Sequence, residues 1–330
     1  MKKLRWGILG VAKINERIIP AFAETKFATL HGIASRSLAK AQAAAAAHRI
    51  PEAYGSYEEL LNDPGIDAVY LPLPNHLHAE WTLKAGRCGK HVLCEKPLCP
   101  TAAEARALVD ACRTLGIRLM DGFMWPHHPR TREIRDFLDN GGLGEVHHVH
   151  ASFTFELPLD DRNIRLHPEM GGGSLLDVGC YPVYGIRWAL DDEPVSVWAT
   201  ATWYNGVDLR MTGILKFAGG KTGSFDCGFT LPLRGSMEIV GTMGTLRVRD
   251  MWLPPYEAEF EVERSNCHVE QFSFSGHNQI ACMLDDFSQA VLEDRDPIPS
   301  PEEAIRTLRV LDALARSARE GREVDILQAG

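Results

Sequence analysis

Glu95-Lys96-Pro97 sets a lysine between an acid and a proline, directly after four residues that read as a buried strand, His91-Val92-Leu93-Cys94. A lysine at the carboxyl edge of a parallel sheet stands where open α/β folds bind their ligands. Far along the chain a glycine-rich run, Gly171-Gly172-Gly173-Ser174-Leu175-Leu176-Asp177-Val178-Gly179-Cys180-Tyr181, supplies an aspartate and a tyrosine. An amine and a phenol together suit proton transfer during a hydride transfer. Oxidation of an alcohol needs a base for the hydroxyl proton, and reduction of a carbonyl needs the reverse. A phenol alone is poorly suited, with a reference pKa of about 10. A nearby ammonium favours the phenolate and lowers that value.

The elements that must position Lys96 begin at the amino terminus. Leu4-Arg5-Trp6-Gly7-Ile8-Leu9-Gly10 reads as a buried first strand, followed by a turn at Val11-Ala12 and a helix from about Lys13. The three glycine positions of a dinucleotide fingerprint fall on Gly10, Ala12 and Asn15, so only the first glycine is kept. Taken alone, the turn fits a plain strand-to-helix connection as well as a phosphate site. As a phosphate site it offers Gly10, Ala12, Lys13 and Ile14. The next strand, Thr29 to Ala34, ends at Ser35-Arg36 with Lys40 close by. An NAD-specific site usually places an acid there for the ribose 2′-hydroxyl, and none is present. Arg36 can stack on adenine and pair with a 2′-phosphate, helped by the Ser35 hydroxyl, so NADP is expected in preference to NAD. The competing reading is a solvated surface arginine.

Asp67 to Leu71 is the following strand, and it leaves through a stiff loop, Pro72-Leu73-Pro74-Asn75-His76-Leu77-His78. That loop is expected to lie along ribose and nicotinamide, with Leu71, Pro72, Leu73, Asn75 and His78 as contacts and Asn75 capping the next helix. His76 and His78 otherwise cap and pack. No carboxylate or cysteine cluster accompanies them, so no metal site is expected. Helices are expected over Ala39–Ala47 and Tyr57–Leu61, and from a Thr101/Glu104 capping box to Leu115, where Gly116 stops the chain. Ile117 to Met120 is read as another strand. The stretch Asp121 to Pro129, carrying Trp125, leads into a helix from about Arg130. This alternation predicts α/β architecture, a doubly wound parallel sheet through about residue 125.

The pattern changes after Gly144. Val146–Phe155 alternates as a long strand, and further strands are expected at 195–203, 209–217, 222–229, 236–240 and 245–248, with helices at 279–292 and 300–319. This predicts an α+β second domain on a mostly antiparallel open sheet. The expected division is 1–125 and 126–330, with the final helices free to pack back on the first domain. One sheet face covers helices and the other needs a partner, which predicts a homodimer or homotetramer. His148 and His150 share one face of their strand while His147 points the other way, and two ligands of one type do not make a metal site.

At 330 residues the chain exceeds one typical domain. Its net charge of −9 disfavours nucleic acid and anionic membrane surfaces as partners, which both need basic patches. Eight cysteines are scattered without a CxxC motif, which reads as reduced thiols in a cytoplasmic protein. Met1-Lys2-Lys3-Leu4-Arg5 imitates the basic start of a signal peptide, but the apolar run after it is short and Lys13 ends it, so a strand is the better reading.

Glu95-Lys96-Pro97, in order with the Asp177–Tyr181 segment, resembles the Gfo/Idh/MocA oxidoreductases, nearest the branch of glucose-fructose oxidoreductase, xylose dehydrogenase and dimeric dihydrodiol dehydrogenase. The likeness extends to Trp6-Gly7-Ile8-Leu9-Gly10, Ala34-Ser35-Arg36, the proline loop at 72–76, Trp125 and His277-Asn278-Gln279. It implies a Rossmann domain with bound NADP or NAD and a substrate pocket between the domains. It implies a catalytic role for Lys96, with Glu95 and Pro97 beside the cofactor. Many members carry a histidine where this chain has Tyr181, and the named branch has tyrosine. Tyr181 is then the proton donor or acceptor, Lys96 its electrostatic partner, and Asp177 an orienting group that also binds a substrate hydroxyl. Arg165 and His167 line the pocket and Trp125 packs against nicotinamide. The expected substrate is a sugar, polyol or related cyclic hydroxy or oxo compound. The alternatives are a glycosidase that retains its NAD and a non-catalytic NADP(H) sensor.

Overall fold

A computed structural model describes residues 2–160 and 162–326. The first residue of the Met1–Arg5 stretch lies outside the described residues. The chain forms two compact units. One is Met1–His127 with Asn278–Ile305, and the other is His128–His277 with Arg306–Gly330.

The first unit alternates β1 (Leu4–Leu9), α1 (Asn15–Ala21), β2 (Ala28–Ala34), α2 (Leu38–His48), β3 (Glu52–Tyr54), α3 (Tyr57–Asn62), β4 (Ala68–Leu71), α4 (His78–Arg87), β5 (His91–Cys94), α5 (Ala102–Thr114) and β6 (Leu119–Asp121). All pairings are parallel and the strand order is β3-β2-β1-β4-β5-β6, the doubly wound arrangement expected from the alternation. β4 is buried along its whole length, as a strand covered on both faces must be. At α5 the Thr101 hydroxyl accepts from the Glu104 amide at 3.3 Å and donates to the Glu104 carboxylate at 3.1 Å.

Three local expectations shift. The first helix begins at Asn15 rather than Lys13, because Ala12 to Ile14 form the turn, with the Asn15 amide on the Ala12 carbonyl. Asn75 does not cap α4. A single 3₁₀ turn, Asn75–Leu77, intervenes, and Leu77 before α4 makes no side-chain cap. The last strand of the sheet starts at Leu119 rather than Ile117 and runs through Asp121, so an acid ends it.

The second unit opens with α6 (Pro129–Asp139) and β7 (Val146–Glu156). Then follow α7 (Cys180–Leu190), β8 (Pro194–Tyr204), β9 (Val207–Phe217), β10 (Thr222–Gly228), β11 (Thr230–Arg234), β12 (Met237–Gly241), β13 (Gly244–Val248), β14 (Glu257–Glu263) and β15 (Val269–Ser275). The ten-stranded sheet has the order β15-β14-β13-β12-β7-β10-β9-β8-β16, where β16 is Val324–Asp325 and β11 pairs with β7. It is antiparallel except for the β10–β7 pair. Val149, Ala151, Phe153, Met211, Leu215, Phe225 and Ile239 are buried on one face, and α7 packs against this sheet, with the Ile186 side chain over Gly223. The other face carries one cross-strand row: Trp198, Ile214, Ser224, His150, Glu238, Arg247, Glu261 and Gln271.

The chain then returns to the first unit through α8 (Gln279–Leu292), whose first amides are capped by the Asn278 side chain. Met283, Leu284 and Phe287 of α8 join the same buried cluster as Trp6, Ile18 and Phe22. Trp6 lies 5.4 Å from Phe287 ring to ring, and its indole N–H donates to the Ser288 hydroxyl at 3.0 Å. The long helix α9 (Pro301–Glu320) follows. Among the described residues no helix is long and apolar enough to cross a membrane.

Candidate active site

In the first unit, the sequence-predicted cofactor residues gather at the carboxyl ends of β1, β2, β4 and β5. Gly10 closes β1 with φ of +132°, and a Cβ there would meet the Leu73 side chain at 3.3 Å. The backbone therefore fits where a substituted residue would be both strained and crowded. Asn15 occupies the third fingerprint position. It is buried, and its Nδ2 donates to the Gly10 carbonyl at 2.7 Å. The amide thus ties the turn shut where a glycine would only allow close packing. Val11 and Lys13 are exposed on this turn, and Ala12 and Ile14 are half-buried.

At the end of β2, Ser35 is buried and its Oγ accepts from the Ser37 amide at 3.3 Å, while Arg36 and Lys40 are exposed. Arg36 lies close enough to Tyr57 to oppose the rise that burial imposes on that phenol. Two cations and a hydroxyl with no acid at this strand end are the donor set that a 2′-phosphate requires. Together with the Gly10 turn, these residues fit a dinucleotide.

The exits of β4 and β5 are locked together. Tyr70 of β4 donates its hydroxyl to Glu95 Oε1 at 2.5 Å, and the Lys96 amide donates to Glu95 Oε2 at 3.3 Å. The Lys96–Pro97 peptide is cis. His78, the first residue of α4, is completely buried. Its Nδ1 lies 3.0 Å from the Pro97 carbonyl and its Nε2 2.7 Å from the Leu73 carbonyl. Burial outweighs those carbonyls and holds the ring below the ordinary histidine pKa. His78 therefore acts as a strut between the proline loop and the Glu95-Lys96-Pro97 turn. Leu71 and Pro72 are buried, Leu73 and Asn75 half-buried, and Trp125 fully buried at the start of a 3₁₀ turn that ends at His127.

The sequence reading missed two residues here, Asp121 and Gly122. Asp121 ends β6 opposite Cys94 in the strand register, and it is buried. A Cβ on Gly122 would stand 2.8 Å from the Cys94 carbonyl and 3.2 Å from Glu95 Cα, so only glycine lets the two strand exits close up. An acid at the carboxyl end of a predicted strand was the available signal.

In the second unit, the other candidate residues converge on the start of α7. Leu175–Gly179 forms a π-turn leading into that helix, a local feature that concentrates at functional sites. It carries Asp177, whose Oδ2 accepts from Arg165 Nε at 2.6 Å. The carbonyls of Arg165 and His167 accept from the amides of Gly173 and Gly172 at 2.9 and 3.0 Å, so the loop bearing Arg165 and His167 is stitched to the glycine run. His167 Nδ1 lies 3.1 Å from Glu169. Tyr181 stands in the first turn of α7, its ring edge-on to Phe153 at 5.0 Å and tilted against Trp252 at 5.8 Å. The structure brings Arg165, His167, Asp177 and Tyr181 into one neighbourhood of this unit.

Asp208, also missed from sequence, anchors that neighbourhood. Its Oδ2 accepts from the Ser174 hydroxyl at 2.6 Å and the Leu175 amide at 2.7 Å, at the very start of the π-turn. Burial pushes its carboxyl up to about 6, against the pull of those two donors. The strand histidines have other work: His148 and His150 contact the Thr222 and Ser224 hydroxyls at 2.9 and 3.0 Å. Among the described residues no cluster of three or more metal-ligating side chains occurs.

Comparison with known proteins identifies the family and agrees with the fold. Residues 4–123 match the profile of the oxidoreductase family with an NAD-binding Rossmann fold, and residues 131–247 match the GFO/IDH/MocA C-terminal domain. A D-xylose 1-dehydrogenase (NADP(+)) of Haloferax volcanii is 37% identical over 98% of this chain and 100% of its own length. The crystal structure of aldose-aldose oxidoreductase from Caulobacter crescentus, complexed with glycerol, superposes with a TM-score of 0.91 at 29% identity, over 98% of this chain and all of that one. A 3-ketoreductase from Actinomadura kijaniata, solved with NADP and TDP-benzene, gives a TM-score of 0.88 at 33% identity, over 96% and 98%. The chain belongs to the Gfo/Idh/MocA family of oxidoreductases, and its first unit is that family's dinucleotide-binding Rossmann domain.

Proposed function

We infer that this protein transfers a hydride between a nicotinamide cofactor, NADP in preference to NAD, and a sugar, polyol or related cyclic hydroxy or oxo compound. The observation that carries the reading is the clamped Glu95-Lys96-Pro97 turn at the exit of β5, held by Tyr70 through Glu95 and by His78 through Pro97. A bound nicotinamide supplies or accepts the hydride. The chain's own residues handle the rest. Gly10, Ala12, Lys13 and Ile14 take the pyrophosphate, and Ser35, Arg36 and Lys40 take the 2′-phosphate. Leu71, Pro72, Leu73, Asn75 and Trp125 frame the ribose and nicotinamide side, and His78 acts as their support. Tyr181 gives or takes the proton of the reacting oxygen, and the Lys96 ammonium favours its phenolate. Asp177, oriented by Arg165, and His167 bind hydroxyls of the substrate. The named activities of the Haloferax relative and the cofactor in the Actinomadura structure support both the substrate class and the choice of NADP.

The outer face of the second unit's sheet supports self-association through a second copy, a homodimer in the first instance and a homotetramer as the larger alternative. Trp198 and Ile214 are direct cross-strand partners, yet 39% and 42% exposed. Among the described residues the eight cysteines form no disulfide, which suits a reducing compartment, the cytoplasm. The deciding experiment titrates NADPH and NADH by nicotinamide fluorescence, then offers a panel of aldoses and cyclic diketones. Tight NADPH binding with substrate-dependent turnover is the expected result. Cofactor that stays bound while free sugar is released would replace this reading with a glycosidase, and binding without turnover would replace it with a sensor.

A further inference from the structure

The carboxyl edge of the first unit's sheet holds two acids where one would serve. Glu95 follows β5 and Asp121 ends β6, on adjacent strands whose exits are brought together by Gly122. Glu95 is well supplied with donors, the Tyr70 hydroxyl at 2.5 Å and the Lys96 amide at 3.3 Å. Asp121 is 6% exposed, and its Oδ1 is buried with no hydrogen-bond partner. A buried carboxylate oxygen without a donor costs far more charged than as part of a neutral carboxyl. Two neighbouring carboxyls divide their protons unequally, the better-solvated or better-bonded one keeping the charge. Asp121 has the Gly122 amide as a donor against two for Glu95, and the greater number of donors on Glu95 leaves the charge there and the proton on Asp121.

We propose that Glu95 and Asp121 form a one-proton carboxyl pair behind Lys96, with the proton on Asp121, and that Asp121 is thereby a positioning residue for the lysine. The titratable groups facing Asp121 are consistent with it. Glu95 repels its charge from the loop after β5 and Glu303 repels it from the first turn of α9, while only Lys96 attracts it. The buried Cys94 and Cys99 thiols stay neutral and add no negative charge, since burial pushes both up, Cys99 to about 12. Burial and Glu95 together push the Asp121 carboxyl well above the usual carboxylate range. The consequence reaches Lys96. With Asp121 neutral, the ammonium faces one negative charge fewer than with Asp121 ionised, and its proton is held less tightly. This inference adds to the role of Lys96 in the function proposed above and rests on that reading for its catalytic meaning.

The test needs no turnover. Infrared spectra of the wild-type protein at pH 8, where Asp208 is ionised, are expected to show the C=O stretch of a neutral carboxylic acid. That band disappears in Asp121→Asn and shifts when aspartate, but not glutamate, is ¹³C-labelled. Labelling also decides the matter in the wild type should the variant fold poorly. In Glu95→Gln the band is expected to titrate away at lower pH. Second, the Lys96 ammonium is titrated by NMR in lysine-labelled protein, assigned with Lys96→Arg. Asp121→Asn replaces one neutral group by another, so Lys96 is expected to lose its proton at the same pH as in wild type. Absence of the band from wild type, or its persistence in Asp121→Asn, overturns the shared proton. A Lys96 titration displaced to lower pH in Asp121→Asn would reveal a charged Asp121 in the wild type and overturn its role behind the lysine. A protein with no dehydrogenase activity but both spectroscopic results would defeat the proposed function and leave this pair standing.

Discussion

In the proposed mechanism Lys96 works from a fixed backbone. Its backbone amide is fixed by Glu95, and Glu95 in turn by the Tyr70 hydroxyl. Lys96→Ala is expected to lower kcat/KM by roughly 10²–10⁴, the usual range for loss of an acid–base group, while leaving NADPH affinity within the same order of magnitude. Tyr181→Phe is expected to do the same, read by steady-state kinetics on any sugar that the panel identifies. Equal loss from both variants, without further loss in the double variant, would show that they act as a unit. Arg36→Ala isolates cofactor choice. Loss of a charge-assisted contact, about 1.5–3 kcal/mol, weakens NADPH by roughly 10- to 100-fold and leaves NADH nearly unchanged, as measured by fluorescence titration. Lys96, Asp177, Tyr181 and Arg36 stand out in the sequence as candidates because motif and strand-end position single them out. Tyr70, Asp121 and Asp208 are not, because their importance comes from burial beside a particular neighbour, which no spacing reveals.

At the scale of elements, the start of α7 depends on Asp208. In Asp208→Ala the Ser174 hydroxyl and the Leu175 amide lose their acceptor, at about 1–3 kcal/mol for each group left buried, and Tm falls accordingly. The carboxyl also makes stability depend on pH. Its folded pKa of about 6 lies above the unfolded value of roughly 3.9, so the folded state binds the extra proton. Stability from this group is fully present below about pH 4, declines as pH rises to about 6, and levels off above, a total of roughly 3 kcal/mol. Asp208→Asn should remove that slope from the Tm–pH curve. Gly122→Ala is the companion test at the other unit. Its Cβ would push against the Cys94 carbonyl and Glu95 Cα, separating the exits of β5 and β6, so Tm and kcat/KM are expected to fall together. β1, β2, β4, β5 and the long antiparallel strands were readable from their apolar patterns. β14 alternates perfectly as Glu-Ala-Glu-Phe-Glu-Val-Glu, yet its four glutamates hide the three buried residues that make it a strand. β3 is a three-residue edge strand, too short for any period to show.

For the molecule as a whole, the parallel-then-antiparallel succession was legible because hydrophobic runs separated by helices give way to alternating strands separated by turns. What sequence order concealed is which segments share a core. The return of residues 278–305 to the first unit is set by contacts such as Trp6 with Phe287, more than 280 positions apart. The exposed Trp198–Ile214 pair gives the test of the proposed self-association: if that face joins two copies, Ile214→Glu is expected to give a monomer by light scattering while leaving the far-UV dichroism unchanged. The shared core also bears on biosynthesis. A ribosome that has made only the first 127 residues has produced the whole parallel sheet, but not α8, which covers Trp6 and whose Asp285 carboxylate accepts from the Lys26 and Phe27 amides. The nascent sheet therefore carries an uncovered apolar flank until nearly the whole chain has been translated. It is a natural client for a holding chaperone, and a premature stop in the second half would release an aggregation-prone fragment rather than a working cofactor domain.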